Sequence, residues 1–165
     1  MRMRLVAGAV AIAFALGSST GCASDPLPVA STTNVDLSNP DQVIANALET
    51  MFTWNPTKED SSDVAYKRAA IYLSGDLAKQ GGDSPPPGPG SQWELWRAAN
   101  ASVTAKTYFV ADETPPNTDT EVHRVVVVVQ SATTPDGKLV GEIRHTAWVT
   151  VAKSNNGWRV TSIKF

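Results

Sequence analysis

One cysteine and two histidines are all that the 165-residue chain offers as soft or borderline metal ligands. A single cysteine excludes an internal disulfide. With Cys22 near the start and only His123 and His145 as imidazoles, a zinc site lacks its ligand set, and neither a metal nor a cofactor is expected. Charge is sparse and scattered, with 14 Lys/Arg against 16 Asp/Glu, so the chain has no basic patch of the kind that binds nucleic acid. No long hydrophobic run is present. The apolar stretch Leu5–Leu16 spans 12 residues, short of the roughly 20 that cross a bilayer as a helix. There is no Gly-x-Ser-x-Gly elbow for an acyl-transfer serine and no phosphate loop ending in Gly-Lys. Gly88-Pro89-Gly90-Ser91 precedes a helical pattern, but its proline removes one of the amide donors a phosphate would need.

The N-terminus is informative. Arg2 and Arg4 make a positive start, Leu5–Leu16 follow without charge, and small and polar residues lead to Cys22. This is the three-part pattern of a secretory signal. An ordinary cleaved signal would be cut near Ala23 or Ser24. The run Ser19-Thr20-Gly21-Cys22 also resembles the bacterial lipobox. That resemblance implies a lipid on Cys22, which becomes the mature N-terminus and holds the protein to the extracytoplasmic face of a membrane. The expected organisation is a signal over residues 1–21, a lipidated cysteine and tether over 22–38, and one folded domain over 39–165. The chain from Cys22 onward carries 12 basic and 16 acidic residues, a net charge near −4.

Helical patterning comes first in the domain. Asn39, Pro40 and Asp41 form a helix start. Val43, Ile44, Ala47, Leu48, Met51 and Phe52 recur at helical spacing, which predicts a helix over Pro40–Phe52. Ser61 and Ser62 are candidate caps for a second helix, whose apolar face holds Ala65, Ala69, Tyr72 and Leu73. Residues 76–80 suggest one more short helical turn. Gly81–Gly90 reads as a proline-rich surface loop. Ser91-Gln92-Trp93-Glu94 has the spacing of a capping box and predicts a further helix to about Asn100. Trp93 and Trp96, three apart, share a face.

The period then changes to two. Strands are expected at Val103–Val110, Val122–Gln130, Val140–Ala152 and Trp158–Phe165, joined mostly by short turns and hence antiparallel. The five valines Val125–Val129 suggest a central strand covered on both faces. The fold class that follows is α+β, three N-terminal helices packed on a curved four-stranded antiparallel sheet. This order of elements over Asn39–Phe165 resembles the nuclear transport factor 2-like cone, and is similar to scaffold domains of conjugation and type IV secretion. Ala47–Leu77 also resembles the helical half of actinobacterial lipoproteins. The resemblance implies a cone with a pocket between helices and sheet.

Four residues stand out as candidate pocket or interface positions. His145 shares a strand face with Ile143, Ala147, Val149 and Val151, so it reads as a core histidine lacking an assigned carboxylate partner. Pairing around the Pro135-Asp136-Gly137 turn sets His123 opposite position 148 and His145 opposite position 126. The two imidazoles are then about 10 Å apart and share no ligand. Trp93 and Trp96 suit a pocket mouth or an interface. Trp148 stands among Glu142, Arg144, Thr146 and Thr150 on the opposite sheet face, open to a partner or covered by another part of the chain. The expected function is a non-enzymatic envelope lipoprotein that binds another protein, in a conjugation or secretion assembly or as a phage-exclusion factor. Two readings stay open beside it. One is a small-ligand-binding cone bordered by Trp93 or Trp96. The other is an enzyme that uses His145 with a carboxylate. No catalytic residue is assigned, the partners are the membrane and an envelope protein, and the oligomeric state is not specified by the sequence.

Overall fold

Asn39 starts the first helix as its position suggests. Its side-chain oxygen accepts hydrogen bonds from the amides of Asp41 and Gln42 at 3.0 and 3.2 Å, satisfying two donors that a helix N-terminus leaves free. Helix α1, Pro40–Phe52, buries Val43, Ile44, Ala47, Leu48, Met51 and Phe52 along one side. The structure, a computed structural model, describes residues 35–80, 87–111 and 114–165. All of them fall in the unit Thr33–Phe165. The expected signal, Cys22 and most of the expected tether and proline-rich loop lie outside the described residues.

Helix α2, Asp63–Ala69, runs into a 3-10 turn at Ala70–Tyr72; α3 spans Gly75–Gln80 and α4 spans Gln92–Ala98. Three helices were expected, and the described residues hold four. The break at Ser74 interrupts the second helical segment rather than ending it. Leu77 is buried against the same core as Leu73, and this favours restarting the helix. The Tyr66 hydroxyl donates to the Leu77 carbonyl and joins the two segments. Ser91 and Ser62 make no capping bond, because both already have helical backbone angles. A capping side chain acts from an extended residue.

Strands β1 (Ser102–Val110), β2 (Glu121–Thr133), β3 (Leu139–Ser154) and β4 (Gly157–Lys164) form one open antiparallel sheet in the order β1-β2-β3-β4. The architecture is α+β, with the helices on one face. Val126, Val128, Val149, Val151 and Val160 point into the core beneath α1. Beside the β2–β3 turn, Thr133 pairs with Leu139. A bulge then shifts the register, so that Ala132 pairs with Gly141 and His145 with Val128.

Both sheet edges are capped along part of their length by the helical side of the molecule. On β1, Val103 exchanges two backbone bonds with Trp54, both at 2.9 Å. The Ala105 amide donates to Thr53 Oγ1 at 3.3 Å and the Thr107 amide to Glu49 Oε1 at 3.0 Å. On β4, the Val160 carbonyl accepts from the Ser74 amide at 2.9 Å, and the Trp158 amide donates to the Leu37 carbonyl at 2.8 Å. Exposed edges recruit foreign strands, and capping narrows that route. The Leu37 contact also moves the start of the fold to Val35, four residues before the expected boundary. Residues Val35–Ser38, expected in the tether, lie against the β3–β4 hairpin.

Candidate functional site

The outer face of the sheet, away from the helices, is where the five valines depart from expectation. Val126 and Val128 are in the core, and Val125 is 2 % exposed although it belongs to the outer face. In register it is flanked by Val110 on β1 and Trp148 on β3. Val127 and Val129 are only half-buried. The run is therefore covered on its inner face and partly open on its outer face. The reason is that no described helix packs on that outer side.

A groove follows from side-chain lengths. The floor is short, with Val127, Val129 and Ser131 on β2. The walls are long, with Lys106 and Tyr108 on β1 and Glu142 and Arg144 on β3. Together they outline an open trough of about 420 Å³. Lys106 and Arg144 face each other across Val129, since the register pairs Lys106 with Val129 and Val129 with Arg144. Lys106 Nζ lies 3.5 Å from Glu49 Oε2 at the sheet edge, and Arg144 Nη2 lies 2.9 Å from Glu142 Oε1. Trp148, 50 % exposed, and Tyr108, 57 % exposed, are large apolar groups on this same face. Lys164 pairs with Trp148 in register and adds a further cation.

On the inner side, His145 and the two α4 tryptophans take different positions. His145 is half-buried, and its Nε2 lies 3.0 Å from Gln130 Oε1. The Gln130 Nε2 in turn donates to the Phe52 carbonyl at 2.7 Å. Because the Gln130 amide NH₂ is committed to Phe52, its oxygen faces His145. This network assigns the imidazole proton to Nε2. The ring stacks on Phe52 with centroids 5.0 Å apart and meets Phe165 edge-on at 6.4 Å. Burial holds its pKa below the ordinary 6.5. The group in reach of Nε2 is thus an amide rather than a carboxylate, an arrangement that fixes the ring without raising its basicity.

Trp93 and Trp96 are 7 % and 2 % exposed. They pack against Trp54 with centroid separations of 6.1 and 6.0 Å. Neither indole N–H meets an acceptor among the described residues. Trp96 fits the notch made by Gly141 and Ala132, and a Cβ built on Gly141 would stand 3.1 Å from Trp96 Nε1. Both residues are core anchors for α4.

His123 lies at the start of β2 and is half-buried. Its side chain is 18 % exposed on the outer face, with Nε2 3.0 Å from Glu121 Oε1 and Nδ1 3.2 Å from Thr150 Oγ1. It pairs with Thr150 rather than position 148, because the bulge adds to the register. The two histidines are then five residues apart along the ladder, about 17 Å. Among the described residues, no group of three His, Cys, Asp or Glu side chains is placed to hold a metal ion. No helix among them is long and apolar enough to cross a membrane. The structure puts Trp148 on the same sheet face as the groove, opposite Val125 and outside the groove's lining, and sets His145, Trp93 and Trp96 apart on the opposite side of the sheet.

Sequence reasoning passed over Gln130, Tyr108 and Lys106. Gln130 has the same strand parity as the core residues Val126 and Val128, so a polar group at that position signals a buried amide that needs partners. Tyr108 and Lys106 acquire meaning only when the register places them beside Val127 and Val129. Comparisons with protein-family models, curated proteins and solved structures find no match to this chain.

Proposed function

We propose that the chain is an extracytoplasmic lipoprotein, held to the membrane by lipid on Cys22, whose cone-like domain of nuclear transport factor 2-like type binds another envelope protein. One observation carries the binding half of this reading. The sheet has both edges capped in part and the described outer face open, with Trp148 and Tyr108 exposed on it. A face of this kind associates through side chains, and large aromatic groups are the usual anchors of such contacts. The cell-surface half rests on Arg2, Arg4, the Leu5–Leu16 run and the lipobox-like Ser19–Cys22. Conjugation or secretion machinery, or a phage-exclusion role, suits a tethered module of this type. On this reading the domain is non-enzymatic, in keeping with an amide as the partner of His145.

The test is sedimentation of gently solubilised membranes from cells that make the wild type, Cys22→Ala or Trp148→Ser. Wild type is expected in the membrane fraction with an acyl mass on Cys22, migrating in an assembly larger than the single processed chain. Cys22→Ala is expected to lose the lipid and the membrane association. Trp148→Ser is expected to keep the lipid and the melting temperature but migrate free. A wild-type chain that is unlipidated, or that migrates alone, overturns the corresponding half.

A further inference from the structure

The charge of the molecule is divided between its two layers. Residues 35–101, which hold the helices, carry nine acidic and five basic residues. The four strands carry two acidic and six basic residues. On the groove half of the outer face, Lys106, Arg144 and Lys164 stand against Glu142, held by Arg144, and Glu49 at the sheet edge, 3.5 Å from Lys106 Nζ, which leaves one cation in excess. Packing this face on the same face of a second copy would leave that excess unmatched. An acidic occupant is the complementary one.

The floor of the groove says more about the occupant's backbone. Its lining consists of side chains, and the sheet's edges are already bonded to Trp54, Thr53, Glu49, Ser74 and Leu37. A chain laid over Val127 and Val129 finds no row of main-chain partners. A buried backbone without partners is costly, so the occupant must satisfy its own. An α-helix does this. The space between β1 and β3 is two strand spacings, about 9.6 Å, close to the roughly 10–12 Å diameter of a helix.

On the reading above, that the domain binds a protein, we propose that this groove docks an amphipathic helix of a partner protein. Its apolar stripe lies on Val127 and Val129 against Tyr108, and carboxylates on its flank face Lys106 and Arg144. The helix adds a third layer to the sheet in the helix-in-groove mode of recognition.

The test uses the full chain in its own host, with a photoreactive benzophenone amino acid in place of Tyr108 and, separately, in place of Leu95, which is exposed on α4 away from the groove. The expected adduct forms from position 108, and its cross-linked peptide has apolar residues at helical spacing flanked by Asp or Glu. In the background Lys106→Glu with Arg144→Glu, the yield should fall about tenfold, as two reversed rim charges imply. Matching Glu→Lys changes in the partner helix should restore it. A position-108 adduct with a second copy, with a segment lacking that pattern, or one indifferent to charge reversal overturns the helix proposal while the binding module stands. Adducts from Leu95 with none from position 108 do the same. No protein adduct from either position overturns both readings.

Discussion

Gln130 is the interior residue on which two layers depend, and its replacement gives a measurable result. Its side chain is 1 % exposed, donates to the Phe52 carbonyl at 2.7 Å and accepts from His145 at 3.0 Å. Phe52 is the last residue of α1, so its carbonyl is one of the four that a helix end leaves without an intrahelical partner. Gln130 therefore caps the C-terminus of α1 from the middle of the sheet. Gln130→Met keeps the chain length and removes both hydrogen bonds. Leaving the buried Phe52 acceptor unpaired costs about 1–3 kcal/mol. The half-exposed His145 can turn to water, so its loss is smaller, about 0.5–1 kcal/mol. Burying a thioether in place of an amide returns about 1 kcal/mol. The net expectation is a loss of about 2 kcal/mol. For a domain of about 130 residues, this corresponds to a fall of about 6–8 °C in Tm. Urea unfolding read by tryptophan fluorescence gives the free energy directly. A double-mutant cycle with His145→Leu should show a coupling of about 1 kcal/mol, since each single change orphans the other's partner. If Gln130→Met lies within about 0.5 kcal/mol of wild type at neutral pH, the helix-capping role is refuted.

Three further outcomes follow from other contacts. Burial lowers the His145 pKa below 6.5, so the unfolded chain takes up its proton first as pH falls. Stability from this residue is full above pH 6.5 and is lost below it, toward the lowered folded value; unfolding midpoints measured from pH 7.5 to 5 should fall in the wild type and flatten in His145→Leu. Gly141→Ala puts a Cβ 3.1 Å from Trp96 Nε1 in a packed tryptophan cluster. Where Gly→Ala in open space would stabilise slightly, here it should cost about 1–3 kcal/mol, and the sign of the Tm shift decides the matter. Gly157→Ala meets a φ of +96° and the Leu37 carbonyl 2.5 Å from the new Cβ. It should cost about 2 kcal/mol and release the segment at Leu37, seen as faster limited proteolysis near residues 35–38; an unchanged cleavage rate would refute the attachment.

How far the fold was legible depended on how local the cause was. The Asn39 cap and the apolar face of α1 are written in adjacent residues, and the structure repeats them. The order of four strands was equally readable from alternation and turns. Ser91 failed as a capping residue because its backbone is already helical, with φ −66° and ψ −16°, which no residue pattern reveals. The register error has a physical source as well. The turn itself pairs Thr133 with Leu139, in agreement with the expected pairing, and the bulge beyond Ala132 then adds one residue. His145 was readable as a core histidine, but its partner Gln130 lies 15 residues away and depends on that register. Trp93 and Trp96 were readable as facing one way. That they anchor α4 follows from a notch at Gly141 and Ala132 that exists only in three dimensions.

The valine run is the most instructive case, because strand preference alone would account for it. Branched residues favour a central strand whether or not anything covers them. That explanation does not extend to the neighbours. A sheet face turned only to water tends to alternate polar residues outward. On this face, however, Tyr108 and Trp148 are exposed beside half-buried Val127 and Val129. The edges show the opposite treatment. Glu49 and Thr53 from α1 and its C-cap, and the backbones of Trp54, Ser74 and Leu37, cover amides and carbonyls that would otherwise recruit strands. A chain that caps parts of both edges and leaves apolar groups on one face separates two kinds of association. It suppresses indiscriminate strand pairing through the backbone and keeps a surface whose selectivity resides in side chains. On the proposed reading of a tethered binding module, that separation is what would make one partner distinguishable from another.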